Sequence, residues 1–248
     1  WLAFIINGLA IASSTILIFF FIKDISREVD DSPTKNNYES SQEGLSTLEV
    51  IKQNKLIILL AFITAASSIV YAQFNYLMPL DLARVHGNQG AVYFGTITSL
   101  NCILVVIFTP LFTQWLRKVT EVPKLIIGEF LEVFGLAIFM LLLGNIWAYY
   151  LAITIFTFGE IIKTLASNPY LTKRVPASHR GRILSIIMVF SALIAGIAQK
   201  GVGRIFDSAG SFVAWSLVLG VGILTIALEF WLSYLDKKMY RKLYETKI

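Results

Sequence analysis

Long apolar segments dominate this sequence and constrain its fold more than any other feature. A helix of about 20 apolar residues is long enough to cross the ~30 Å hydrocarbon core of a bilayer. Unpaired backbone groups are not tolerated in lipid, and the alternating pattern of strands is absent, so we predict an all-α membrane protein. The segments that reach this length are Leu2–Ile22, Leu56–Leu80, Ala91–Thr113, Leu125–Gly144, Ile146–Leu171, Ile183–Phe206 and Phe212–Leu235.

The rest of the composition excludes several classes of protein. Charged residues make up 15% of the chain, whereas soluble domains typically contain ~25%. The only cysteine, Cys102, cannot form an internal disulfide, and the two histidines lie in different loops. Without the ligand spacing of a metal site, a nucleotide-binding G-x-x-x-x-G-K-[ST] sequence or a cluster of nucleophiles, we expect no metal, no cofactor and no enzyme activity.

The distribution of basic residues predicts an orientation. If the spans alternate and the first one ends inside, most of the 21 lysines and arginines fall in inner segments, and the outer loops hold only Arg84. This bias follows the positive-inside rule, so we expect seven spans with a cytoplasmic C-terminus. The net charge of +5 then orients the chain in the membrane, and we do not expect nucleic acid as a partner.

Four parts follow from this pattern. Residues 1–22 form one span, residues 23–55 a cytoplasmic loop, residues 56–236 a bundle of six spans, and residues 237–248 a basic tail. The loop ends in a short predicted helix that Ser46 and Glu49 would start with a capping box. The chain opens on an apolar residue without a signal-peptide pattern, so we expect it to be the end of a longer protein.

A long inner loop followed by six spans resembles the second half of a major facilitator superfamily transporter. The stretch from Gly159 to Ile187 is similar to the tenth helix, inner loop and eleventh helix of drug–proton antiporter-like members. The matching positions are Gly159, Glu160, Pro169, Val175, Pro176, Arg180, Gly181 and Arg182. Arg117 and Lys118 match the basic end of another loop motif, but Gln114 and Trp115 stand where that motif carries an aspartate. The resemblance implies a missing N-terminal half.

Two charges lie within the fifth window, where insertion costs ~2.5–3.5 kcal/mol for a charged residue at the helix centre. Glu160 and Lys163 are three residues apart and share a helix face with three hydroxyl side chains, those of Thr157, Thr164 and Ser167. One interpretation is an ion pair within the helix that neutralises itself. The other is a site where Glu160 takes a proton or binds a cation while Lys163 adjusts its affinity.

A second acidic pair lies in the fourth window. Glu129 and Glu132 are also three residues apart, and two adjacent carboxylates repel each other unless one is protonated or salt-bridged. Arg117 or Lys118 is the nearest cationic partner in the sequence. We favour a structural or inner-gate role for this pair over contact with a substrate.

Polar side chains in the second and third windows could contribute to a binding pocket. Tyr71 and Asn75 lie at helical spacing among apolar residues, as in a pocket that is mostly apolar with a few hydrogen-bonding groups. Hydrogen bonding between helices is the alternative role for both. Asn101 is a similar case, for which we favour packing between helices.

These features predict half of a secondary active transporter. The resemblance implies proton-coupled efflux of small amphipathic molecules, with a small-molecule substrate, protons or another coupling ion, and the lipid bilayer as partners. We expect a location in a bacterial plasma membrane. Two alternatives stay open: uptake or exchange of a metabolite within the same superfamily, and a multi-span membrane protein that does not transport. The residues favoured for function are Glu160, Tyr71, Asn75 and Glu132.

Overall fold

The computed structural model describes residues 2–21, 46–175 and 177–240. This part of the chain is almost entirely helical and contains no strand, which confirms the all-α prediction. Residues 23–45 of the predicted loop and residues 241–248 of the predicted tail lie outside it. The helices are α1 Leu2–Phe21, α2 Thr47–Gln53, α3 Lys55–Asn75, α4 Leu77–His86, α5 Gly90–Trp115, α6 Glu121–Leu141, α7 Ile146–Thr172, α8 Ala177–Ala209 and α9 Ser211–Met239.

Several of these helices are suited to cross a membrane. In the described part of the chain, four stretches satisfy both length and apolar composition: Lys55–Trp115, which contains α3 to α5, and the helices α7, α8 and α9. Helix α6 is outside this set because it carries two glutamates at mid-length and two more charges in its first turn. The fold is an all-helical membrane fold, and the number of seven spans stays a prediction.

The chain divides into two units, Trp1–Glu43 and Gly44–Ile248. The first contains α1, an apolar helix in which the hydroxyls of Ser13 and Thr15 donate to carbonyls four residues earlier. Such bonds satisfy a polar side chain without any partner outside its own helix. The second unit contains α2 to α9 and all the residues discussed below.

The second apolar window is not one helix, as its predicted range Leu56–Leu80 implied. Helix α3 ends at Asn75, Tyr76 forms a break, and α4 runs from Leu77 to His86. Pro79 is the third residue of α4. Proline lacks the backbone N–H of a helix interior but is tolerated in a first turn, where the N–H has no intrahelical acceptor. The position of Pro79 therefore explains why a new helix begins at Leu77.

The capping box predicted for the short helix α2 is confirmed. The Ser46 hydroxyl accepts a hydrogen bond from the Glu49 backbone N–H at 3.3 Å, and the Glu49 carboxylate accepts one from the Ser46 N–H at 2.7 Å. Thr47 contacts His179 of α8, with 3.2 Å between the hydroxyl oxygen and Nδ1. This contact ties α2 to the start of α8.

Helices α6 and α7 pack with their backbones in direct contact, because glycines face each other between them. A Cβ added to Gly128 would lie 2.8 Å from the Gly159 carbonyl oxygen, and one added to Gly159 would lie 2.5 Å from the Gly128 oxygen. Further along, a Cβ on Gly135 would lie 2.6 Å from the Ala152 oxygen. Only residues without a side chain allow this approach. We call this contact the glycine seam.

Two apolar clusters form the core of the second unit. The charge pattern predicts one end of the bundle to be cytoplasmic, and we call it the inner end. The inner cluster includes Leu60, Ile63, Leu125, Ala166, Ile187 and Leu232. The outer cluster includes Val70, Phe74, Val133, Phe156, Trp215 and Val218. Between the two clusters, helices α3, α6, α7 and α9 carry buried polar side chains. The candidate site lies among these side chains.

A buried ion pair joins α7 to α9 at the inner end. Arg174 donates to both carboxylate oxygens of Asp236, at 2.6 Å from Nε and 2.5 Å from Nη2. The guanidinium carbon lies 3.8 Å from the centre of the Tyr170 ring, and Asn54 donates to the Arg174 carbonyl oxygen at 3.4 Å. The pair thus connects the ends of α7 and α9 with the residue between α2 and α3.

A second ion pair at the inner end is more exposed. Lys173 donates to the Glu121 carboxylate at 2.5 Å, and the lysine side chain is 43% exposed. Burial acts to raise the pKa of Glu121, but the hydrogen bond and charge of Lys173 outweigh it and hold that pKa below its ordinary value. Glu121 is therefore a carboxylate at neutral pH.

Candidate functional site

The polar side chains between the two apolar clusters form one layer, which we call the central polar layer. On α3 the inner cluster ends at Ile63 and the outer cluster begins at Val70, with Ser67 between them. On α6, α7 and α9 the corresponding gaps contain glutamates and a lysine. The members discussed below are Ser67, Tyr71, Asn101, Glu129, Glu132, Thr157, Glu160, Lys163 and Glu229. Charged groups at this depth are expensive unless they are paired, protonated or functional.

Lys163 of α7 is the cationic centre of the layer. Its ammonium donates to Ser67 of α3 at 2.8 Å, to Glu129 of α6 at 3.1 Å, and to Glu132 of α6. The Ser67 hydroxyl in turn donates to Glu129 at 2.6 Å. Both glutamate side chains are fully buried, and the lysine side chain is 16% exposed. Three helices are thus joined by one charge-assisted network.

These contacts correct two sequence-based interpretations. Within the described residues Lys163 pairs with Glu129 and Glu132 across the glycine seam, and it forms no ion pair with Glu160 of its own helix. Arg117 and Lys118, the partners considered for the acidic pair, are exposed in the turn after α5. The reason is geometric: at the glycine seam the α6 backbone approaches Lys163 so closely that a Cβ on Gly128 would touch its side chain. Residues three apart share a face, but neighbouring helices decide which partner is nearer.

Glu160 has a different environment, made of neutral hydrogen-bond donors. Tyr71 of α3 donates to its Oε1 at 2.8 Å, and Asn101 of α5 donates to its Oε2 at 2.9 Å. The same Asn101 amide donates to the Thr157 hydroxyl at 2.9 Å. Glu160 is half-buried, whereas Asn101 and Thr157 are buried. The carboxylate is therefore fixed by two side chains from other helices and keeps access to the surface.

Aromatic rings lie beside this carboxylate. The Tyr71 ring stacks on Phe156 with centroids 5.7 Å apart, and Phe74 packs against Phe156 at 5.4 Å. Phe94 of α5 continues the group, at 5.9 Å from Phe74. A half-buried carboxylate next to aromatic faces is an environment that attracts organic cations, because both the charge and the ring quadrupole are favourable.

Glu229 of α9 is a further acidic member of the layer. Its side chain is 1% exposed, and its Oε2 atom has no hydrogen-bond partner among the described residues. It interacts electrostatically with Glu129, Glu132 and Lys163. Glu229 therefore lies within the layer and not at the surface of the bundle. The layer contains four carboxyl groups and one ammonium group.

Other residues singled out in the sequence lie away from this network. Asn75 is exposed at the last position of α3 and forms no hydrogen bond with the described residues. Thr164 and Ser167 are exposed, so only Thr157 of the three predicted hydroxyls is a buried member of the layer. The motif residues Arg180, Gly181 and Arg182, predicted for an inner loop, lie in the first two turns of α8. Arg180 donates to the Val175 carbonyl oxygen at 3.0 Å, while Gly181 and Arg182 are exposed.

The layer is not built as a metal site. Within the described ranges, no group of three or more histidine, cysteine, aspartate or glutamate residues is arranged to hold a metal ion. The carboxylates instead face hydrogen-bond donors or lie without a partner, and one buried oxygen each of Glu129, Glu132 and Glu229 lacks a donor.

Most residues of this site could be predicted from the sequence, but the contacts between them could not. Glu129, Glu132, Glu160, Lys163, Tyr71 and Asn101 were all candidates, and they meet in one layer. Ser67 and Glu229, two further members of this layer, were not among the predicted site residues. A signal was present for Ser67, which lies midway between Ile63 of the inner cluster and Val70 of the outer cluster.

This chain is similar in sequence to known membrane transport proteins. The profile of the Major Facilitator Superfamily matches residues 1–199. A Na(+), Li(+), K(+)/H(+) antiporter from Planococcus maritimus is 23% identical over 226 residues, which cover 81% of this chain and 53% of that protein. The chain therefore spans about half the length of the curated relative it matches. Because the family profile extends over most of the sequence, the chain belongs to the major facilitator superfamily.

Proposed function

We propose that this chain is the C-terminal half of a secondary active transporter that exchanges protons for a cationic substrate by alternating access. The observation that carries the proposal is the charge balance of the central polar layer, four carboxyl groups against one ammonium. Buried carboxylates that lack a counter-charge bind protons or cations, because desolvation disfavours the charged form. Exchange of these two ligands at one layer is the basis of antiport.

Glu160 is the residue that suits direct exchange. It is half-buried, it accepts hydrogen bonds from the neutral donors Tyr71 and Asn101, and it forms no ion pair within the part of the chain that the structure describes. A proton or a cationic substrate can therefore supply the missing charge, and the two would compete. In transporters of this architecture, substrate and coupling-ion sites lie near the bilayer midplane. The position of the central polar layer between the inner and outer apolar clusters supports a similar location for this site.

Small amphipathic cations are the substrate class we favour, with efflux as the direction. The stacked rings of Tyr71, Phe74 and Phe156 beside Glu160 would contact the apolar part of such a molecule. The carboxylate would bind its charged part. An alkali cation is the second candidate, because the similar protein from Planococcus maritimus is named as a Na(+), Li(+), K(+)/H(+) antiporter.

Proton release from everted membrane vesicles tests the proposal. Vesicles that contain the full-length protein are acidified inside, and a pH-sensitive dye reports proton efflux when sodium, potassium, lithium or a lipophilic organic cation is added. We expect dequenching with the organic cation if the aromatic surface binds substrate, and with the metal salts if the second candidate is correct. No response to either class at any pH would contradict proton–cation exchange.

Glu160→Gln provides the residue-level test in the same assay. Glutamine keeps hydrogen bonds with Tyr71 or Asn101 but cannot take a proton, so we expect the pH dependence of transport to flatten. The matched control is Glu49→Gln on the exposed surface of α2, which should retain the wild-type profile. A folded Glu160→Gln protein with an unchanged pH profile would show that this carboxylate does not carry the proton.

A further inference from the structure

We propose that Glu229 of α9 is a second proton-binding residue of this transporter, separate from Glu160, and that it is a neutral carboxylic acid in the arrangement described here. The inference rests on the proposed function for its role in transport. It rests on the contacts of α3, α6, α7 and α9 for its protonation.

The hydrogen-bond donors of Lys163 are all used by residues other than Glu229. An ammonium group has three N–H donors and no acceptor. Ser67, Glu129 and Glu132 each accept one hydrogen bond from it, so all three donors are engaged. Lys163 thus has no donor left for Glu229.

The charges around Glu229 disfavour a further negative charge at this position. The titratable groups that interact with it are Glu129 and Glu132 on α6 and Lys163 on α7. Helices α3 and α8, which also pack against α9, add no titratable group to this set among the described residues. Two carboxylates and one ammonium already leave one excess negative charge. Ionisation of Glu229 would add a second negative charge at a position that is 1% exposed.

The burial of Glu229 also disfavours its charged form. The side chain is 1% exposed, and Oε2 has neither a hydrogen-bond donor nor solvent contact in the described part of the chain. A buried carboxylate normally receives several hydrogen bonds, whereas a neutral acid needs far less compensation. The contacts therefore fit a protonated Glu229 and do not fit an ionised one.

This arrangement suggests how the proton would be exchanged. A proton on Glu229 can leave when water reaches the side chain, or when Glu129 or Glu132 takes a proton and frees one donor of Lys163. In the second case the proton moves within the set of three carboxyl groups and its total charge is unchanged. The set would hold one proton in addition to any on Glu160, so the transporter would contain two separable proton sites.

Infrared spectroscopy of the purified full-length protein tests the protonation directly. The C=O stretch of a neutral carboxylic acid is distinct from the bands of carboxylates and amides. We expect the wild type to show such a band at neutral pH and Glu229→Gln to lose the largest part of it. Glu49→Gln is the control and should leave the band unchanged. An unchanged band in folded Glu229→Gln would overturn the proposal.

A second variant keeps the test valid if glutamine is not accommodated. Glu229→Leu removes both the proton and the charge. If Glu229 is a neutral acid, this variant should unfold at the same temperature as the wild type or higher. If Glu229 is an ionised partner of Lys163, the variant should unfold at a clearly lower temperature, and the proposal would be wrong.

Different measurements would contradict proton–cation antiport and the protonation of Glu229. If the wild type shows the neutral-acid band and Glu229→Gln removes it, the protonation of Glu229 stands even when the vesicle assay detects no antiport. Antiport with an unchanged band in Glu229→Gln would support the proposed function and overturn the second proton site. Removal of Lys163 by Lys163→Met should increase the neutral-acid band, because its partner carboxylates lose their only cation.

Discussion

Replacement of Arg174 by methionine should destabilise the protein strongly. The guanidinium makes a two-pronged contact with Asp236, at 2.6 and 2.5 Å. The exposed fractions of the two side chains are 3% and 0%. Methionine keeps most of the volume but removes both of these charge-assisted hydrogen bonds from the buried Asp236, which keeps the Tyr170 hydroxyl at 3.1 Å as a donor.

The expected cost follows from this geometry. Removal of one partner of a buried ion pair typically costs ~3–5 kcal/mol, because the other charge is left uncompensated. The lost cation–π contact with Tyr170, at 3.8 Å, accounts for about 1 kcal/mol of this destabilisation. At ~1.4 kcal/mol for each factor of ten, the unfolding equilibrium constant should rise at least ~100-fold.

Reversible unfolding of the full-length protein in mixed detergent micelles measures this effect. The double variant Arg174→Met/Asp236→Leu should recover most of the lost stability, because a buried pair replaced by apolar residues is often neutral. A single-variant cost below ~1 kcal/mol, the value of an exposed pair, would refute the reasoning. Equally, a double variant whose cost is the sum of the two single variants would show that the residues do not interact.

Two further predictions concern other contacts. Gly159→Val should lower the unfolding temperature in a thermal melt, because its Cβ would lie 2.5 Å from the Gly128 carbonyl oxygen; Gly220→Val, where an added Cβ meets open space, should not. Glu121→Gln should be less stable than the wild type at neutral pH, because the Lys173 contact lowers the pKa of Glu121. That difference should vanish as the pH falls through the lowered pKa, and a difference that persists in acid would contradict an electrostatic origin.

The helices could be predicted from the sequence because membrane insertion imposes a length and an apolar composition on each one. The window Ile146–Leu171 became the helix Ile146–Thr172, an error of one residue. The break at Tyr76 was missed because an apolar run shows no change of composition there. Pro79 was the local signal, and it indicates the first turn of a new helix rather than the interior of a long one.

The site could be predicted as a set of residues but not as a set of pairs. The sequence shows that Glu160 and Lys163 share a helix and are close along it. It does not show that α6 approaches so closely that Lys163 reaches Glu132, 31 residues earlier in the chain. Partner choice depends on the distance between helices, which is set by Gly128 and Gly159 at positions that only the folded structure brings together.

The glycine seam also limits which parts of the bundle can move. At Gly128 and Gly159 the backbones of α6 and α7 approach without an intervening glycine side chain, so we expect that a sliding motion would bring carbonyl groups into collision. We expect the two helices to move as one rigid body during the proposed transport cycle, so that the distance between Lys163 and Glu132 stays constant. Changes at the ammonium must then come from α3 and α9, which carry Ser67 and Glu229 toward or away from a fixed pair.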